Sequence, residues 1–507
     1  MKLDEILIMD DLSRFTPAEV CNILAIIFET GREQGDPVII KKGIAFAEKQ
    51  LLTLFNKSER ATFYFNTANA WGYLRNMTSS AGTNSWEFHT TETEQEIVQL
   101  RLSLAICSEI DDRDLHAQVL TNLGNAFSHV GRFVEAVSYW HRAITVKPGF
   151  GMAIGNLGYG LGHYARVLFD DGHQFKFCQY AYKLLLDGIE SKDVYVEAKG
   201  GFAQLAQIIE KRYGKDNLMS AQKIGNHTLG ETELEQVYRK WCLENALFLN
   251  PLNDFIMENY VAHDCLVLPT ITVPAYTPPL YHTMYNQVKQ EFASARYLCY
   301  EGMNSSSVHF SDEDNLLMDT LDYAVYSLSS EKLKMAYRLC YSIFDKVAYL
   351  LNAYLKLGLQ SGEVSFKRVW YKKGSDNKRP LFNPIVTQSQ NWPLRGLFWL
   401  SKDLSEAQNS FSEALLQDAK QLAAIRNFIE HKSFKIIEYG TTGVSGDGLT
   451  FVITRNELVE KTVLLLQTAR SAIMYIIFAI NVEEQKSKPT GPALSIPFKE
   501  LDNRYKR

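Results

Sequence analysis

The stretch AQVLTNLGNAFSHVGRFVEAVSYWHRAITVKPGF, Ala117 to Phe150, decides how the first half of this chain reads. The small residues Gly124, Ala136 and Ala143 let two antiparallel helices approach closely, and Phe127 and Trp140 fill the space between them. Pro148 ends the second helix by withholding an N–H. Upstream, Asn66-Thr67-Ala68-Asn69-Ala70-Trp71 parallels Asn122-Leu123-Gly124-Asn125-Ala126-Phe127, and Leu104-Ala105-Ile106 parallels Arg142-Ala143-Ile144, with a polar insertion over 78–95. Downstream, Asn156-Leu157-Gly158-Tyr159 opens a copy that degenerates, and Glu244 to Pro251 reads as a closing helix.

This 34-residue spacing resembles the tetratricopeptide (TPR) repeat. The resemblance implies an irregular TPR-like α-solenoid over about 20–265, inside a first domain of residues 1–268. Such a solenoid offers its concave face to a protein or peptide ligand. Asn66, Asn69, Asn122 and Asn125 recur at one helix position, where they either clamp a peptide backbone or bond one repeat to the next.

The whole chain agrees with a helical, globular reading. Of its 507 residues 46% are hydrophobic and 22% charged, which excludes a wholly disordered chain. The net charge of -5 excludes a generally basic nucleic-acid coat protein and leaves a local basic cleft open. Met1-Lys2-Leu3-Asp4-Glu5-Ile6 lacks a basic start followed by an apolar run, and the seven dispersed cysteines form no C-x-x-C pair. The expectation is a cytoplasmic protein with reduced thiols and no structural zinc. The apolar run Val463–Ile480 is interrupted by Gln467, Thr468, Arg470 and Ser471, so it reads as a buried core helix and not a membrane span.

Pro269, Pro274, Pro278 and Pro279 mark a linker over 269–280. Beyond it the pattern is helical but not repetitive: a long segment from Ser329 to Leu357, a polar interval over 360–391, helices over 394–404 and 411–437, and a glycine-rich loop over 440–448. The loop lacks G-K-[ST] and reads as a connection or small hairpin. Thr454-Arg455-Asn456-Glu457 is a capping box opening a final helix to about 482, before a loose tail over 483–507.

The distinctive string is Arg426-Asn427-Phe428-Ile429-Glu430-His431, set in a helix whose apolar positions include Leu415, Leu416, Ala419, Leu422 and Ala423. Arg and His five apart lie about 140° apart around a helix, so they straddle one face. A second Arg–His spacing, Arg166 to His173, falls in the degenerate repeat region and reads as accidental. H-E-x-x-H and G-x-S-x-G signatures are absent from the sequence.

With Ile343–Tyr349, Val364–Trp370, Leu394–Leu400 and Lys402-Asp403-Leu404 around it, this motif makes residues 281–482 resemble the HEPN superfamily, and within it the HEPN domains that follow TPR-like repeats. The fold class is then all-α: a solenoid followed by a HEPN helical bundle. The resemblance implies a metal-independent endoribonuclease without a cofactor, working as a homodimer through the HEPN domain on tRNA or mRNA, in antiviral defence or a toxin–antitoxin pair. It implies His431 as proton-transfer group, Arg426 as phosphate donor and Asn427 as orienting group. Glu430, Asp345, Lys346, Lys402 and Asp403 are candidate supporting groups. Lys367, Arg368, Trp370, Tyr371, Lys372 and Lys373, with Lys378 and Arg379 beyond, are a candidate RNA contact, because basic and aromatic residues interleave there. The rival reading is a non-catalytic TPR–HEPN scaffold that dimerises and binds RNA or a partner protein.

Overall fold

The computed structural model describes residues 3–80, 86–220, 227–305, 307–375, 380–404, 411–446, 448–487, 494, 497 and 499–506, with backbone alone at 3–4, 79–80 and 411–420. The fold is all-α with one small sheet. The N-terminal half holds α1 (Leu3–Leu7), α2 (Pro17–Gln34), α3 (Pro37–Glu48), α4 (Lys57–Ser80), α5 (Thr91–Cys107), α6 (Arg113–His129), α7 (Phe133–Val146), α8 (Gly151–Tyr164), α9 (Asp171–Glu190), α10 (Val196–Tyr213), α11 (Lys215–Met219) and α12 (Glu233–Glu244). The C-terminal half holds α13 (Leu280–Asn304), α14 (Phe310–Glu313), α15 (Leu328–Tyr354), α16 (Pro384–Gln388), α17 (Trp392–Asp403), α18 (Phe411–His431), β1 (Ser433–Ile437), β2 (Gly443–Val444), β3 (Thr450–Thr454) and α19 (Arg455–Lys486).

Helices α4 and α5, α6 and α7, and α8 and α9 pack as successive pairs. Glycines set their closeness. A Cβ on Gly124 would enter the Trp140 indole, and one on Gly160 would meet the same ring from α8. Trp140 is thus clamped between two glycine-bearing helices, while its Nε1–H donates to Asn125 at 3.1 Å. Where the sequence pattern degenerates the pairing persists, because Gly155 and Gly188 bring α8 and α9 together. The expected closing helix over 244–251 is not formed. α12 ends at Glu244, Ala246 takes a positive φ of 51°, and a 3₁₀ turn follows over Pro251–Asp254.

Each asparagine of the candidate concave face makes a bond within the protein, although Asn125 is itself exposed. Asn122 donates to Asn69 at 2.9 Å, Asn66 donates to the Cys21 carbonyl at 3.3 Å, and Asn125 accepts from Trp140.

The proline-bearing segment has no regular structure over 265–274, yet it is fastened. Leu266 and Leu268 are buried, Tyr285 donates to the Leu266 carbonyl at 2.6 Å, and Arg296 pairs with Asp264 at 2.7 Å. One continuous hydrophobic core runs from Ala61 to Ile480 and joins both halves, while α2, α3 and the outer side of α4 share a smaller core.

At the centre lies α19. It is long and apolar enough in composition to cross a membrane, but 78% of its apolar window is buried inside the protein. Thr454 caps it by accepting from the Glu457 N–H at 3.3 Å. Its Arg470 reaches into the N-terminal half, donating to Asp254 at 2.6 Å and to the Phe248 and Asn250 carbonyls at 2.5 and 2.8 Å.

The expected helix over 411–437 is corrected in its last turn and a half. α18 stops at His431 and the chain turns into β1. The sheet order is β1-β3-β2, with β1 parallel to β3 in the register Ser433↔Thr450 to Ile437↔Thr454, and β2 antiparallel to β3. Phe434 and Phe451 stack across β1 and β3 with centroids 5.8 Å apart, which explains the apolar run after His431.

Candidate functional site

The last turns of α18 divide cleanly. Leu422, Ile425, Phe428 and Ile429 are buried, whereas Arg426, Asn427, Glu430 and His431 are exposed. At 100° per residue the four polar positions share an arc of about 140°, so the motif forms one open polar face at the end of the helix.

Helix α15 positions this face. Tyr337 donates to the Leu422 carbonyl at 2.7 Å and Arg338 donates to the Ile429 carbonyl at 2.5 Å. Arg338 also pairs with Glu430 at 3.4 Å, and the Arg426 guanidinium sits 5.8 Å from the Tyr341 ring centroid. Arg338 and Tyr341, one helical turn apart, are therefore part of the site, and sequence reading missed both. The available signal was their spacing on a helix that already carried Asp345. Past the motif, Lys432 lies over the Phe428 ring at 4.7 Å and reaches the Gly448 carbonyl at 3.3 Å, joining the helix end to the glycine-rich loop.

The candidate supporting residues separate. Glu430 lies on this polar face, paired with Arg338. Asp345 lies on the same stripe of α15 as Arg338 and Tyr341, two turns from Arg338, and accepts the Phe366 N–H at 3.3 Å. Lys346 faces α13, pairing with Glu291 at 2.5 Å. Lys402 and Asp403 lie at the junction with the N-terminal helices: Lys402 pairs with Glu94 at 3.0 Å and bonds His89 at 2.8 Å, and Asp403 pairs with Arg101 at 2.9 Å and with Arg132. Burial disfavours the Asp403 charge, but Arg101 and Arg132 outweigh it and hold the carboxyl below its ordinary value. These two bond across the junction with the N-terminal helices, through α5 and the turn between α6 and α7.

The basic–aromatic stretch is also redistributed. Trp370 is 1% exposed, donates to the Phe366 carbonyl at 2.7 Å and packs edge-on to Phe398, so it cannot stack on a base. Tyr371 is half-buried and stacks on Phe382 with centroids 5.1 Å apart. Lys367, Lys372 and Lys373 are exposed and Arg368 is half-buried, so the stretch retains a cationic rim without its main aromatic. Lys378 and Arg379 lie outside the described residues. Arg166 is in a 3₁₀ turn and His173 in the first turn of α9, so no single helix face carries them. Among the described residues no group of three or more His, Cys, Asp or Glu side chains is arranged to hold a metal ion.

An exposed arginine, asparagine and histidine on one helix end can bind a phosphodiester and move a proton beside it. No curated protein gives a significant match to the chain. Residues 272–483, from the fastened proline segment to the end of α19 and including this polar face, match the family model described as LA2681-like HEPN, which supports a HEPN-superfamily domain over that two-fifths of the chain.

Proposed function

We propose that the protein is a metal-independent endoribonuclease acting through Arg426, Asn427 and His431. The observation that carries this reading is the open polar arc at the end of α18, held by α15, inside a segment that matches a superfamily whose domains are commonly ribonucleases. His431 takes the proton of a ribose 2′-hydroxyl, and the 2′-oxygen attacks the adjacent phosphorus. The P–O5′ bond breaks, leaving a 2′,3′-cyclic phosphate, and the departing 5′-oxygen receives a proton from the same residue of a second copy. Arg426 neutralises charge on the phosphate oxygens, and Asn427 orients the group.

Two copies fit the geometry because Arg426 and His431 straddle their face and one helix end does not surround a phosphate. A dimer is further supported by apolar exposure beside β1. Leu316, Met318, Leu321 and Tyr323 are exposed on the segment whose Ala324 bridges to Ile437 and whose Val325 N–H donates to the Ile436 carbonyl at 2.8 Å. The lysine rim of 367–373 would track the RNA backbone. The N-terminal helix pairs, read as TPR-like, would sense a protein or peptide and act through the shared core. Unpaired cysteines support a reducing, cytoplasmic setting, and growth arrest as a toxin or antiviral effector is the role this chemistry suits, with tRNA or mRNA as target.

The test uses purified wild type, Arg426→Ala and His431→Ala with end-labelled RNA in EDTA. Cleavage by wild type, and a fall of roughly 10²–10³-fold in either variant, supports the reading. Equal cleavage by all three overturns the site, and cleavage that needs a divalent metal overturns the mechanism. RNA binding and dimerisation without cleavage by any of the three would leave a scaffold.

A further inference from the structure

A second polar group lies where the N-terminal helices meet α17, built from side chains the ribonuclease reading does not use. Arg75 comes from α4, Trp86 from the approach to α5, Glu96 from α5, His129 from the end of α6 and Arg395 from α17. Arg395 is 2% exposed, and its guanidinium donates to the His129 carbonyl at 3.3 Å, meets the His129 Nε2 at 3.4 Å and lies 5.4 Å from the Trp86 ring centroid. Arg75 reaches Glu96 only at 3.4 Å.

The unpartnered donors here outnumber the unpartnered acceptor of the group, the buried Glu96 Oε2. Arg395 Nε, Arg75 Nε and Nη1, and Trp86 Nε1 are buried without a hydrogen-bond partner among the described residues. The field is positive as well. Burial and the Arg75 charge push the Arg395 guanidinium down to about 10, and burial raises the Glu96 carboxyl above its ordinary value, weakening it as a counter-ion. Glu87 opposes this from the exposed side. Buried guanidinium forks left short of acceptors match tetrahedral oxyanions, and an indole N–H adds a neutral donor.

We propose that the junction of α4, α6 and α17 is a binding site for a small phosphate-bearing anion, held by Arg75 and Arg395 with Trp86 Nε1 as third donor. The burial of Arg395 suits a free or terminal phosphate better than the backbone of a polymer. Since Arg75 belongs to the N-terminal half and Arg395 to the segment matching the HEPN family, the occupant bridges the two halves. The proposal is independent of the Arg426–His431 chemistry.

The experiment is isothermal titration of the full chain with inorganic phosphate, pyrophosphate and ATP at chloride-matched ionic strength, with thermal unfolding read in parallel. Saturable binding of at least one probe, weakened tenfold or more in Arg75→Gln and Arg395→Gln, is the expected result. Binding of all three assigns phosphate itself, and of ATP alone a nucleotide. Arg75→Gln leaves the Arg395–His129 bonds intact and carries the test if Arg395→Gln does not fold. Failure of every probe to saturate, or undiminished binding by a folded Arg75→Gln protein, overturns the site. Arg75-dependent binding of an RNA oligomer in place of all three probes overturns the small-anion assignment.

Discussion

Arg470, in the middle of α19, lies 2.6 Å from Asp254, at the close of the N-terminal half, and both side chains are 2% exposed. The Tyr164 hydroxyl donates to the same carboxylate at 2.9 Å. The pair crosses the boundary that the sequence places at its proline cluster. Replacing one partner strands a buried charge, so Arg470→Met is expected to destabilise the protein by about 3–5 kcal/mol. Urea unfolding of Arg470→Met, Asp254→Asn and the double variant checks this: the double should lose less than the two single losses combined. Full additivity would mean that the pair does not couple the halves.

A charge junction of different character supports the same union. Asp403 is held ionised by Arg101 and Arg132 against the cost of its burial. A carboxyl whose folded pKa is depressed contributes stability that is present above its unfolded pKa and lost as pH falls through the folded value. Asp403→Asn should therefore be markedly destabilising at pH 7, with the difference from wild type shrinking as pH falls through and below the ordinary aspartate range near 3.8. Unfolding curves for both proteins from pH 7 to pH 3 provide the measurement. A pH-independent difference would show that Asp403 acts by packing alone.

These junctions mark the limit of what sequence could show. The α6–α7 pair was legible because Gly124 and Trp140 are complementary in size and at repeat spacing, and the structure puts the indole against that glycine. The arc at Arg426–His431 was legible because helical periodicity separates Ile425, Phe428 and Ile429 from their polar neighbours. By contrast, Lys402 and Asp403 resemble solvated charges until Glu94 and Arg132, about 300 residues away, are brought beside them. The strand at 433–437 was hidden because Phe434, Ile436 and Ile437 continue an apolar pattern that a helix would also satisfy. Trp370 looked like a stacking platform because composition carries no direction, and its indole points into the core.

Arg338 offers a test of how α15 supports the polar face. It bonds the Ile429 carbonyl and Glu430 from outside the motif. On the proposed ribonuclease reading, Arg338→Ala should lower kcat for RNA cleavage by about 10–100-fold through misplacement of the α18 end, with a smaller change in KM. Arg338→Lys, which keeps the charge but not the planar fork, should recover only part of the loss. An unchanged kcat in a folded Arg338→Ala protein would show that α18 holds its face without this brace.

The lysine rim and the buried tryptophan beside it separate by their readouts. Lys372 and Lys373 are exposed, so Lys372→Ala and Lys373→Ala should leave unfolding within about 0.5 kcal/mol of wild type. Each lysine that contacts a phosphate should reduce the salt slope of RNA binding by about 0.7, the single-strand value. Trp370 contributes packing: its indole N–H is bonded to Phe366 and its ring lies against Phe398, so Trp370→Ala should destabilise by about 3–5 kcal/mol. Filter binding across a salt series, with urea unfolding of the same proteins, gives both quantities. Unchanged salt slopes in both lysine variants would remove Lys372 and Lys373 from the proposed RNA path, because an exposed lysine that displaces no counterions has no phosphate under it.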